Sequence, residues 1–141
     1  MNAHAANDDA MTDRRDTAHR ALKRLLANGR LTAVPKRPAD QELLMALAAS
    51  QLDAHGSWRE SEVNELLSAW LETISEPFGI DHVTLRRMLV DSGLLTRTKS
   101  GSLYRINVER VGEIEAIRGI EPADVLSQVR NERDLRKRQR A

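Results

Sequence analysis

The sequence predicts a mainly α-helical α+β fold. Three observations carry that prediction. Apolar residues recur at helical spacing in five segments, Gly, Pro and Asp punctuate the boundaries between most of them, and two short extended segments flank one Gly-containing turn. At 141 residues, one domain with terminal extensions is the default organisation.

The first helix is expected over 13–28, with Thr12 or Asp13 as N-cap, Ala18, Leu22, Leu25 and Leu26 on one stripe, and Gly29 as the stop. Residues 31–34 read as a short extended segment, because the residue before Pro35 is biased away from the helix and Pro38 continues the break. A second helix follows over 39–52, its apolar face built from Leu43, Leu44, Leu47 and Ala48. A third, over 59–74, begins with Glu60 and Glu62, which suit the positive end of the helix dipole, and presents Val63, Leu66, Leu67, Trp70, Leu71 and Ile74. Asp81 caps a fourth helix over 81–92, with Leu85, Met88 and Leu89 inward and Gly93 as the stop. Segments 94–98 and 103–107 form a hairpin around Lys99-Ser100-Gly101-Ser102. Val108, Val111, Ile114 and Ile117 mark a short fifth helix, and Glu121-Pro122 opens a last one that runs into a basic tail.

The chain has no cysteine, which excludes a disulfide framework, an iron–sulfur cluster, a thiolate zinc site and a cysteine nucleophile. No stretch approaches the roughly 18 apolar residues of a membrane span, and the N-terminus lacks the apolar core of a signal peptide, so a cytoplasmic protein without membrane contact is expected. Lys and Arg number 22 against 21 Asp and Glu. The near balance conceals a layout: residues 13–37 hold eight basic and two acidic residues, residues 130–140 six and two, and the middle, 38–129, eight and fifteen.

Helix, helix, linker, helix and hairpin is the order of elements in a winged helix, whose helix before the hairpin usually reads DNA. The complete expectation is a winged-helix-like core of three to four helices with a C-terminal β-hairpin, flanked by N- and C-terminal helices. Its parts are a disordered start at 1–11, a basic helix at 12–29, the winged-helix-like domain at 30–107 and a helical extension with a basic tail at 108–141. No Gly-rich phosphate loop, nucleophile elbow or metal-ligand spacing is present, so a non-enzymatic protein without metal or cofactor is expected. His82 beside Asp81 reads as capping and packing, Asn64 as structural, and Trp58 and Trp70 as core.

Gly29-Arg30-Leu31, Pro35-Lys36, Glu60-x-Glu62-Val63-Asn64-Glu65-x-Leu67, Asp81-His82-x-Thr84-Leu85-Arg86-Arg87-x-Leu89-Val90-Asp91 and Tyr104-Arg105 together resemble the bacterial domain of unknown function 2087. The resemblance spans about 29–107 and implies a winged-helix-like module, sometimes joined to helix-turn-helix regulators. The chain departs from it in a longer stretch over 72–80 and in a missing Trp at the end of the hairpin.

The candidate nucleic-acid contacts are Thr84, Arg86 and Arg87 on the fourth helix, Arg97, Lys99 and Arg105 on the wing, and Arg133, Arg136, Lys137 and Arg138 on the tail, the cations facing phosphates and Thr84 a phosphate or base edge. At 100° per residue from Leu85, Val90, Val83 and Arg87 fall at about 140°, 160° and 200°. Val83 and Val90 therefore form an apolar outward surface suited to a protein partner, a second subunit or the C-terminal helix. The expected function is a DNA-binding transcriptional regulator. A protein-interaction module, or an RNA- or ribosome-associated factor, is the alternative on the same fold.

Overall fold

The computed structural model describes residues 3–140, with side chains from residue 9 onward. Helix α1 (Ala3–Leu25) is followed by α2 (Pro38–Ala49), the two-residue strand β1 (Trp58–Arg59), α3 (Glu60–Ile74) and α4 (His82–Asp91). Strands β2 (Leu95–Arg97) and β3 (Leu103–Ile106), a single 3-10 turn (Val108–Arg110), α5 (Val111–Glu115) and α6 (Pro122–Arg140) complete the chain. The fold is mainly helical with one small antiparallel sheet, as its sequence predicts.

One boundary moves and the sheet gains a strand. Disorder was expected over 1–11 and a cap at Thr12 or Asp13, but α1 is already helical at Ala3. Ala3, Ala5, Ala6 and Ala10 give this segment high helix propensity, and Thr12 and Asp13 are accommodated in the interior. Residues 1 and 2 lie outside the described residues. The hairpin is also not alone: β1 pairs with β3, Trp58 opposite Tyr104 and Arg59 opposite Leu103, so the sheet runs β1-β3-β2. In the fifth segment only part of the apolar repeat points inward. Ile114 and Ile117 are buried, whereas Val108 is exposed.

Local chemistry sets the helix ends. The Asp81 carboxylate accepts the Thr84 N–H at 3.3 Å and starts α4. Gly93 ends it at φ +82, a left-handed conformation that side chains disfavour. Glu62 accepts the Arg59 N–H at 3.0 Å and fixes the entry to α3.

One core runs through the molecule. It joins Leu22 and Leu26 of the N-terminal side to Leu44 and Leu47 of α2, Leu67 and Ile74 of α3, Leu85 and Leu89 of α4, and Tyr104 and Ile106 of β3. Val125, Leu126 and Val129 of α6 belong to the same cluster. The two flanks are therefore parts of the body. They also lie side by side and parallel, since Arg15 meets the Arg118 carbonyl, Lys23 meets Glu132 and Arg133 meets the Ala27 carbonyl.

The connection from α3 to α4 is braced against residue 31. The Leu31 N–H donates to the Ile74 carbonyl and the Leu31 carbonyl accepts the Glu76 N–H, both at 2.8 Å. The Ser75 hydroxyl accepts the Ile80 N–H at 3.1 Å. This frame holds Phe78 at φ +67 with its ring fully exposed.

Candidate nucleic-acid interface

Adjacent arginines on α4 have different surroundings. Arg86 turns toward α3, its Nη2 lying 3.1 Å from Glu60 Oε1 and its Nη1 donating to Asn64 Oδ1. Its side chain is 14% exposed. Glu60 in turn accepts the hydroxyl of buried Tyr104 at 3.1 Å. These four side chains tie α3, α4 and β3 together, and a charge held by two partners at a part-buried site is not available to a phosphate. Arg86, expected to contact nucleic acid, is turned inward by these partners. Asn64 has the structural role read for it. Arg87 points outward, exposed and, among the described residues, without a hydrogen-bond or ion-pair partner.

The wing repeats the division. Arg97 lies over the Tyr104 ring, 5.7 Å from its centre, a cation–π stack that extends the Glu60–Arg86 cluster into β2. A Cβ on Gly101 would come within 2.7 Å of the Arg97 guanidinium, so the turn's glycine leaves room for that stack, and its φ of +73 suits glycine as well. Arg105 donates from Nε to the Ser57 hydroxyl at 2.8 Å. Lys99, at the turn, is exposed with no partner among the described residues. Thr84 is exposed at the start of α4, its hydroxyl 3.4 Å from the capping Asp81 carboxylate. Val83 and Val90, expected to form an apolar surface for a partner, are both half-buried, Val90 packing partly on the core. His82 Nδ1 stands 3.8 Å from Asp81, on one side of the cap.

The second cationic surface is formed by α1 and α6. Lys23 Nζ meets Glu132 at 2.8 Å, and this hydrogen bond holds the Glu132 carboxyl below the usual carboxylate range. Arg133, expected to contact nucleic acid, instead donates to the Ala27 carbonyl, so it joins the helices while its side chain remains exposed. Past it, Arg136, Lys137 and Arg138 are exposed on a helix that continues to Arg140, with no partner among the described residues. Val129 is the last buried residue of α6, so its final two turns stand clear of the body. Lys137, Arg138 and Arg140 fall in the last turn, where the negative end of the helix dipole favours cations.

Arg110 and Glu113 form a further pair at 2.8 Å, which holds the Glu113 carboxyl below its usual range, and the Arg110 guanidinium also reaches the Ser92 carbonyl. Among the described residues no group of three His, Asp or Glu side chains converges as metal ligands would, and no helix is long and apolar enough to cross a membrane.

Sequence reasoning missed three features. Glu60 and Tyr104 carry the Arg86 cluster, and both stood in the motifs quoted above, though their meeting across 44 residues left no periodic signal. Phe78 has the third, an exposed ring beside a cleft of about 660 Å³ between α3 and the start of α4.

The model of a bacterial family described as uncharacterized protein conserved in bacteria, domain of unknown function 2087, matches residues 30–106. The match takes in α2, all three strands, α3 and α4, a little over half of the chain, and leaves α1 and α6 outside it. No curated protein and no solved structure gives a significant match.

Proposed function

The chain belongs to this bacterial family, and we propose that it is a non-enzymatic nucleic-acid-binding protein of winged-helix type, acting on DNA in the cytoplasm as a transcriptional regulator. The sheet order β1-β3-β2, with α4 immediately before the hairpin, supports the winged-helix reading. In this reading Arg87 and Thr84 on α4, with Lys99 on the wing, set the register, and Arg86, Arg97 and Arg105 hold that surface in shape. Most of the affinity comes from the end of α6.

The observation that carries the proposal is the free end of α6. From Arg133 to Arg140 it bears five cations and one acid, all exposed. Cations displayed on a helix bind a phosphate backbone by releasing its counterions, so affinity must fall with salt.

The test is fluorescence anisotropy of labelled duplex DNA and RNA across a salt series. Substituting Arg136, Lys137 and Arg138 together by Ala keeps helix propensity and leaves the Lys23–Glu132 tie intact. It is expected to lower the slope of log Kobs against log salt by about 2 to 3, and Arg87→Ala by about 1. Absence of binding to either nucleic acid at about 0.05 M salt overturns the proposal. Equal binding to DNA and RNA removes the transcriptional assignment and favours an RNA-associated role.

A further inference from the structure

We propose that two copies of this chain associate reciprocally, the basic end of α6 in each lying in the Phe78 cleft of the other. This goes beyond nucleic-acid binding and does not depend on it, and because both use Arg136 and Arg138, nucleic acid and the second copy compete for the same arm.

The cleft has the composition of a docking site for a basic helix. Phe78 stands fully exposed at its edge, on a backbone conformation that only the surrounding brace makes tenable for a side chain. A large ring held in water at positive φ gives the fold no burial in return, and such exposed aromatics mark contact surfaces. The rest of the lining includes Leu71, Glu72, Glu76 and Asp81, with Arg30 as its lone Lys or Arg. Three carboxylates against one guanidinium disfavour a phosphate backbone and favour cations.

The end of α6 supplies the complement. Its residues 133–140 carry a net charge of plus four, and within them Leu135 is 55% exposed, an apolar anchor among arginines. Leu135 and Arg138 are three residues apart and so share a helix face, which can meet a ring and a carboxylate together. Eight helical residues reach about 12 Å.

Placement makes the arrangement reciprocal. Arg133 is bonded to the Ala27 carbonyl, and three residues further along the chain Arg30 lines the cleft, so the root of the arm and the cleft share one pole of the molecule. No residue of the arm lines its own cleft. The helix is continuous to Arg140, so the arm stands away from the body and is free for a second copy. Two surfaces on one pole, each complementary to the other, close around a two-fold axis.

Sedimentation equilibrium of the full chain, stripped of nucleic acid, tests this from about 1 µM to 1 mM protein. A concentration-dependent dimer is expected at about 0.05 M salt and its dissociation at about 0.5 M, because the facing charges are screened. Phe78→Gly removes the ring at a backbone position that glycine adopts freely, and should raise the dimer Kd at least about tenfold. Glu72→Lys with Glu76→Lys should abolish the dimer, and so should Arg136→Glu with Arg138→Glu. Combining all four reversals in one chain should restore it. All five residues are exposed, and matching thermal melts establish that each variant folds. A chain monomeric at every concentration in low salt overturns the proposal. So does a dimer unaffected by Phe78→Gly and the reversals, or a four-fold variant that stays monomeric.

Discussion

The α4–hairpin surface and the α1–α6 surface are both rich in arginine, yet they use it in opposite ways. On the first, Arg86, Arg97 and Arg105 are held by Glu60 and Asn64, by the Tyr104 ring and by Ser57, leaving Arg87 and Lys99 open. On the second, Lys23 and Arg133 join the two helices, while Arg136, Lys137 and Arg138 are exposed with no hydrogen-bond or ion-pair partner among the described residues. Position relative to acidic and hydroxyl groups, more than the number of cations, separates an organising surface from a binding one. The acidic middle of the chain supplies those partners to its own arginines, and past Val129 α6 extends beyond their reach.

The comparison breaks first if the α1–α6 side is a detachable flank. Leu22 is fully buried in the common core, so Leu22→Ala should destabilise the whole protein by about 3 kcal/mol in urea unfolding, as a single transition. A change below about 0.5 kcal/mol would show that the flank folds as a separate unit. A smaller effect sharpens the other side. Arg86→Ala strands Glu60 and Asn64 and should cost about 2 kcal/mol, whereas Arg87→Ala, one residue away, should stay within about 0.5 kcal/mol.

Acid provides the mildest perturbation. Glu132 is held below its ordinary range by Lys23, so its contribution is complete above that range and is lost as pH falls through its lowered value. The difference in melting temperature between the protein and Glu132→Gln should therefore be largest near neutral pH. It should vanish in strong acid, and a difference that grows on acidification would reverse the assignment.

Much of this was legible in the residues. Five helices are marked by apolar spacing and by caps such as Asp81 and Gly93, the sixth by Glu121-Pro122, and the hairpin by Gly101, because these are local signals. The two-residue strand β1 carries no alternation to read. It exists because Tyr104 and Leu103 lie opposite it, 44 residues on or more. Arg86 and Arg87 are equivalent in composition, and helical geometry places Arg86 only 100° from Leu85. What separates them is Glu60, on another helix, which no spacing rule reaches. Phe78 carries no local signal either, since a positive φ at a phenylalanine has no sequence signature.

The parallel pairing of α1 with α6 has a consequence for synthesis. Lys23 and Glu132 are 109 residues apart. At typical elongation rates the ribosome makes the covering helix roughly 5 to 20 s after the helix it covers. Throughout that interval the face of α1 that carries Arg15, His19 and Lys23 lacks its α6 partner and is open to chaperones or to neighbouring nascent chains. Closing so distant a contact is also slow compared with forming either helix, so docking of α6 should be a late step in folding.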